Sequence, residues 1–229
     1  MSKEDDQAKE NVLDIISGES TNKIKFMMGE ISVTPAIYAL VVAAIQKGDI
    51  TVLVLPNRVP PKAIGVYYRQ LPLENGDEMY DILALKKPDF GRTVPELFEA
   101  AMGIVHECTH AGLYLARTPN MTHMQHEAAA YIAEGAAGVA EVLSRGGEPA
   151  SITFKVPLLQ MGWEMGLMIN KLPFPSSPYW SSPDFAVKWW ESINKLYVAI
   201  ANSDMYSATA KGKVANDGAG HKWKLKSAP

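Results

Sequence analysis

The sequence predicts an α+β fold that is mostly helical and contains a small mixed or antiparallel sheet. Two observations lead to this class. Short stretches rich in β-branched and aromatic residues lie in the first half of the chain, and Pro, Gly or Asn separates them. Longer stretches with apolar residues at helical spacing fill the second half. The strands do not alternate with helices and no phosphate-loop fingerprint is present, which argues against a doubly wound parallel sheet.

The chain begins with a short amphipathic helix that ends at Gly18, followed by a candidate strand at residues 24–28. A second helix begins at Thr34-Pro35, because Thr suits the N-cap position and Pro suits the first turn of a helix. Gly48 ends this helix, since glycine readily adopts the left-handed conformation found after helices.

Three strands are predicted next, over residues 50–55, 64–69 and 80–85. The turn-forming pair Asn75-Gly76 lies between the second and the third, so these two are expected to pair as an antiparallel hairpin. This pairing predicts a small sheet in the first half of the chain.

The second half is predicted to be helical. The pattern Thr93-Val94-Pro95-Glu96 is a capping box that begins a helix running to about residue 115. Breaks rich in Pro, Ser or Gly separate this helix from those that follow. The remaining helices are predicted over residues 122–144, 151–171 and 183–202.

The composition indicates one sizeable core. Apolar residues make up 47% of the 229 residues and charged residues only 21%, so extensive disorder is not expected. We expect a single domain over residues 1–209 and a flexible basic tail over residues 210–229. The net charge of −3 gives no general attraction to nucleic acid or to an anionic membrane, so neither is an expected partner.

The sequence predicts a cytoplasmic protein. The first residues are acidic and polar where a signal peptide would be apolar. The apolar run at residues 37–45 is too short to cross a bilayer. Export by a route that needs no cleaved signal stays open. The single cysteine, Cys108, excludes an intrachain disulfide and is expected to lie in the core.

The residues that carry chemistry form the pattern His106-Glu107-Cys108-Thr109-His110. On a helix, residues four apart lie on the same face, so both imidazoles can bind one metal ion. Zinc lowers the pKa of its bound water to roughly 7, and Glu107 is placed to accept a proton from that water. The pattern therefore predicts a catalytic zinc site with Glu107 as the general base.

A catalytic zinc ion usually has three protein ligands, so one more is needed. A third histidine in the longer HExxHxxGxxH pattern would fall at Ala116, and the glycine falls one place early, at Gly112. The next helix offers the better candidates. Glu127 is favoured, because the intervening residues let the first helix end and an antiparallel helix return to the metal. The alternatives are His123, His126 and Glu134.

Residues 80–134 run from a strand, through a helix containing VHECTHA, to a helix containing HEAAAYIAE. This order resembles the zincin superfamily of metallopeptidases and its gluzincin arrangement, in which a downstream helix supplies a glutamate. It is also similar to small bacterial HExxH proteins of undefined substrate. The resemblance implies a zincin-like pair of active-site helices, with zinc ligands at His106, His110 and Glu127 and a general base at Glu107.

The groups around the ligands depart from the family pattern. Thermolysin-like enzymes have an Asn before the ligand glutamate and, one turn later, an Asp that orients a ligand histidine. His126 and Tyr131 stand at these positions, so either a bond from Tyr131 to a ligand imidazole or a structural tyrosine is possible. The family also implies a Tyr or His that stabilises the oxyanion, for which the candidates are His123, Tyr131 and His221.

In zincins an edge strand pairs with an extended peptide substrate, and residues 80–85 are the candidate for that strand. The tryptophans and methionines of the last helices have helical spacing and are interpreted as packing residues, with a lining role in an apolar cleft as the alternative. The predicted partner is a peptide or protein substrate, and the predicted cofactor is Zn²⁺.

Three functional hypotheses follow. The first is hydrolysis of a peptide or amide bond by a zinc-activated water. The second is a non-catalytic zinc-binding module, which the glutamate at position 107 argues against, because a structural site needs no base. The third is hydrolysis of a non-peptide substrate, which ligand chemistry alone does not separate from the first.

Overall fold

The computed structural model describes residues 2–61, 63–89, 94–118, 121–171 and 183–203, and describes only the backbone of residues 94–97. The predicted class, α+β and mostly helical with small sheets, is confirmed. The elements, in chain order, are α1 (Lys3–Ile16), α2 (Glu19–Asn22), β1 (Phe26–Met28), β2 (Ile31–Val33), α3 (Pro35–Lys47), β3 (Thr51–Val54), β4 (Gly65–Pro72), β5 (Glu78–Leu85), α4 (Val94–Leu115), α5 (His123–Ser144), α6 (Pro157–Asn170) and α7 (Pro183–Asn202).

Helix α5 lies at the centre of the molecule. Its residues from Glu127 to Ala140 are buried on all sides, and many of them are alanines, whose small side chains let neighbouring helices approach closely. α5 packs against α4 on one side and against α6 and α7 on the other. A core of buried side chains includes residues from α1 through to α7.

The closest packing in this core joins α5 to α6. A Cβ atom on Gly135 would lie 2.0 Å from the carbonyl oxygen of Gly162, and a Cβ on Gly166 would lie 2.4 Å from the Gly135 carbonyl. Only glycine permits two helix backbones to approach so closely. This contact fixes α5, and the residues it presents to α4, against α6.

The larger sheet has the strand order β3-β5-β4. β5 pairs in parallel with β3 and antiparallel with β4, so the predicted hairpin is confirmed and the sheet is mixed. Gly76 in its turn has a φ of 89°, which favours glycine. Residues 80–85 were expected to form an edge strand, and this is wrong, because β5 is hydrogen-bonded on both sides. The edge strand beside α4 is β4.

The smaller sheet, β1 with β2, is antiparallel, and only its first strand was predicted. The helix expected to begin at residue 151 begins instead at Pro157. Pro157 lies in the first turn, where its missing N–H is tolerated, and the preceding residue, Val156, is extended, as is typical before proline. Thr93 and the side chains of residues 94–96, which form the expected capping box, lie outside the described part of the chain, as does the basic tail at 210–229.

Two packing predictions concern residues that the structure describes. Cys108 is completely buried in the core, as expected. Trp163 and Trp189 are also fully buried, whereas Trp190 on α7 is 36% exposed. None of the described helices is both long enough and apolar enough to cross a membrane.

Candidate metal centre

Helix α4 presents His106 and His110 on one face, toward α5. Both imidazoles are buried, and their ring centroids lie 5.0 Å apart. Thr109, between them in sequence, points toward α3, where its hydroxyl is 2.9 Å from the hydroxyl of the fully buried Tyr38. This bond fixes the rotation of α4 about its axis, which keeps the two histidines directed at α5.

Helix α5 supplies the carboxylate that meets these imidazoles. It begins with a capping box, in which Thr122 and Gln125 satisfy each other's backbone N–H groups. Glu127 follows in the second turn and is 3% exposed. One of its oxygens lies 3.4 Å from Nε2 of His106, and the other lies 3.6 Å from Nε2 of His110. A helical hairpin thus brings the three residues to one point.

The donor atoms of His106, His110 and Glu127 suit a metal ion. One nitrogen or oxygen from each residue lies within 4.8 Å of the others. Two imidazole nitrogens and one carboxylate oxygen are the ligands of many catalytic zinc sites, which keep a fourth position for water. Both imidazoles direct Nε2 toward Glu127, which turns each Nδ1 toward a group on the far side of the ring.

Behind His106 lies the buried carboxylate of Glu134. Nδ1 of His106 donates to Oε2 of Glu134 across 3.0 Å. With the Glu134 carboxylate as acceptor, Nδ1 keeps its proton, so Nε2 is the nitrogen that a metal ion would bind in place of the proton donated to Glu127. Glu134, an alternative third ligand from the sequence, contacts Nδ1 of His106 and lies outside the group formed by His106, His110 and Glu127.

Behind His110 lies a second imidazole, that of His126. The two Nδ1 atoms are 2.8 Å apart, and the rings are stacked. Burial lowers the pKa of His126 to about 4, so at neutral pH this ring is uncharged and can accept a hydrogen bond. With His126 as the acceptor, His110 would donate from Nδ1 and leave Nε2 as the nitrogen available to a metal ion.

Glu107 lies on a different face of α4, beside the edge strand β4. The backbone N–H of Tyr67 donates to Oε2 of Glu107 across 2.8 Å. Burial raises the pKa of Glu107 to about 7, although His106 and the Tyr67 N–H lower it. A carboxyl group with a pKa near neutrality can both accept and return a proton.

The charges of the cluster are mutually dependent. Burial opposes the ionisation of Glu127, but His110 and His106 hold its pKa well below the usual carboxyl range. Burial likewise opposes a charge on His106, but hydrogen bonds to Glu127 and Glu134 raise its pKa well above the usual value. A protonated His106 therefore balances the ionised Glu127, and a cation bound here would take the place of the proton on Nε2.

His123 and Tyr131 both adjoin the cluster. Nδ1 of His123 lies 3.6 Å from a Glu127 oxygen, and the side chain is 3% exposed. Tyr131 packs edge-on against the ring of His106, with centroids 4.7 Å apart. Both contacts are compatible with a supporting role around the ligands. The third candidate oxyanion donor, His221, lies outside the described residues.

Gly112 has a packing role. A Cβ atom at this position would lie 2.9 Å from both Cβ and the carbonyl oxygen of Ile37. The glycine therefore permits α3 to approach α4 closely. This contact explains a glycine that lies one place too early for the HExxHxxGxxH pattern.

Two contacts of the site were missed in the sequence. The sequence only weakly indicated the hydrogen bond between His106 and Glu134, because it showed that Glu134 shares a helical face with Glu127. It did not indicate the bond from the Tyr67 N–H to Glu107, because any residue except proline offers the same backbone donor.

Comparisons with protein-family models, curated proteins and solved structures found no match to this chain.

Proposed function

We propose that the protein is a zinc-dependent hydrolase, most simply a metallopeptidase of the HExxH type with a gluzincin-like ligand set. One observation carries the proposal. Two imidazole Nε2 atoms and the Glu127 carboxylate converge on one point. Glu107 follows His106 on α4, and burial raises the pKa of its carboxyl group to about 7.

The chain's own residues account for binding and proton transfer. His106, His110 and Glu127 hold the ion, while Glu134 and His126 fix the two imidazoles in the binding tautomer. A zinc ion bound here would polarise the scissile carbonyl and acidify a water molecule. Glu107 accepts the proton from the attacking water and returns it to the leaving amine.

The Tyr67 N–H gives this base a fixed position. Since β4 is held to β5 along its other side, its backbone cannot shift without breaking the sheet. Oε2 of Glu107 is therefore anchored, and Oε1 is the oxygen available to the reacting water. Preorganisation of this kind reduces the rearrangement required in the transition state.

The substrate of this proposal is a peptide or protein, and the proposed place of action is the cytoplasm. A lone buried cysteine is in keeping with a reducing compartment. The ligand set itself is equally suited to other carbonyl substrates, so a peptide screen is the first test.

The test compares wild type with Glu107→Gln. Protein purified without added metal is analysed for zinc and then incubated with a peptide library. We expect about one zinc per chain in both proteins and a loss of turnover of about 10²-fold or more in Glu107→Gln. The matched control is Glu10→Gln, on the exposed surface of α1, which should match wild type.

Two results would contradict the proposal. Absence of zinc from wild type would remove the metal centre. Zinc binding without cleavage in wild type would instead favour a non-catalytic zinc module, and equal cleavage by wild type and Glu107→Gln would show that Glu107 is not the base. A parallel His106→Ala variant should lose the metal.

A further inference from the structure

A cavity of about 670 Å³ lies apart from the candidate metal centre. It is enclosed by the end of α1, by α2, by the first half of α4, by the second half of α5 and by the segment at residues 152–154. Its volume is within the range of about 300–1,000 Å³ that is typical of small-molecule sites.

The cavity and the metal centre use different parts of the same two helices. On α5 the cavity begins at Ala137, ten residues beyond Glu127, which corresponds to about 15 Å along a helix. On α4 it is lined by Phe98, Met102 and Val105, which lie on a face away from Glu107. A ligand here would therefore not occupy the metal site.

The inner wall of the cavity is largely apolar. Phe98 packs edge-on against the fully buried Trp163, with centroids 6.0 Å apart, and Phe154 packs against the same ring at 5.3 Å. The Trp163 N–H is bonded to the carbonyl of Pro149. The rings are thus held in place by contacts outside the cavity. Ala101 and Ala137 leave the space between them open because their side chains are small.

The charged residues that line the cavity are mostly acidic. The charged residues among the described lining are one cation, Arg145, and four carboxylates: Asp14, Glu19, Glu99 and Glu141. Glu141 accepts from Arg145 across 2.7 Å and from the hydroxyl of Ser20 across 2.5 Å, so this pair is internally balanced.

The remaining charge is negative and faces solvent. Glu19 has Lys23 at 3.6 Å, whereas Asp14 and Glu99 are exposed side chains at the outer side of the cavity. An apolar interior below exposed carboxylates is complementary to a molecule with an apolar body and a cationic head.

We propose that this cavity is a binding site for a small amphipathic cation, whose apolar body contacts Phe98, Met102 and Phe154 and whose cationic head lies beside Asp14 and Glu99.

The test uses the full chain and decyltrimethylammonium as the probe, because a quaternary ammonium has no lone pair and cannot ligate zinc. Isothermal titration calorimetry should give saturable binding of one probe per chain. Decanesulfonate, with the same tail and the opposite charge, should bind at least about tenfold more weakly, since like charges repel.

Two variants locate the site. Ala101→Phe fills the cavity and should weaken binding of the probe by about tenfold or more, while Ala36→Phe, on the exposed face of α3, should have no effect. Asp14→Asn combined with Glu99→Gln should reduce the preference for the cation, whereas the matched surface pair Asp6→Asn with Glu10→Gln should preserve it. Thermal unfolding checks that each variant is folded.

The proposal is overturned if the probe does not saturate, if decanesulfonate binds equally well, or if folded Ala101→Phe binds the probe as wild type does. The charge variant decides the matter if Ala101→Phe is unfolded. Zinc content, measured in the same samples, reports separately on the metal centre.

Discussion

Nδ1 of His106 lies 3.0 Å from Oε2 of Glu134, which links the first imidazole of the candidate metal centre to a carboxylate two turns beyond Glu127 on α5. Both groups are buried. Under the proposed function, Glu134 supports zinc binding through His106 without touching the metal, and this leads to the first prediction.

Glu134→Ala should lower zinc affinity by about 10- to 100-fold, because the ring of His106 loses the acceptor that fixes its tautomer. Glu134→Gln should lose less, since its amide oxygen still accepts from Nδ1. Competition with a chromogenic chelator measures both. Glu148→Ala, at an exposed position, is the control. Unchanged affinity in Glu134→Ala would show that the contact does not support the metal.

His126 should be replaceable only by a residue that keeps an acceptor near Nδ1 of His110. His126→Asn places an amide oxygen close to the former Nδ1 position and should retain most of the zinc affinity. His126→Leu leaves the buried Nδ1–H of His110 unsatisfied and should cost about 1–3 kcal/mol of binding or stability. The same chelator competition and a urea titration measure these effects. Equal behaviour of Asn and Leu would refute the assigned hydrogen bond.

The raised pKa of Glu107 should make the metal-free protein less stable at neutral and alkaline pH than at acidic pH. Its folded pKa of about 7 exceeds the ordinary glutamate value of 4.5, so the neutral form stabilises the fold. That contribution is present below the unfolded pKa and is lost as pH rises through the folded value. Glu107→Gln cannot ionise and should gain stability relative to wild type between about pH 5 and about pH 8. Urea unfolding of metal-free samples tests this, and parallel pH profiles would contradict it.

The contact between α5 and α6 should not tolerate a methyl group. Gly135→Ala places Cβ 2.0 Å from a backbone carbonyl oxygen, and we expect a loss of about 3 kcal/mol or more in the free energy of unfolding. In Gly103→Ala the nearest atoms are 3.3 Å away, on the side chain of Ile64, and the helix gains propensity, so stability should change little. Chemical denaturation compares the two. Equal stability would show that the helices can separate at no cost.

The helical placement of His106, Glu107 and His110 could be predicted because it depends only on spacing along one helix. The hairpin of β4 and β5 was predictable for a similar reason, since Asn75-Gly76 lies between them and the turn is local. The helices and their approximate ends also follow from local signals such as Thr122 and Gly48.

Other features depend on which elements become neighbours. β5 is central because β3 pairs with its far side, and nothing within residues 80–85 indicates that partner. The start of α6 depends on Pro157, which suits the first turn of a helix and keeps Val156 extended, whereas the apolar pattern alone continues before it.

Local spacing therefore determines that one helix carries two imidazoles on the same face and a carboxylate on the next position. The tertiary structure decides the rest of the site. It brings Glu127 between the imidazoles, sets Glu134 and His126 behind them, and places the Tyr67 N–H on Glu107. The physical reason is that hydrogen bonds between distant segments depend on the relative position and rotation of packed helices and strands, which the core fixes as a whole.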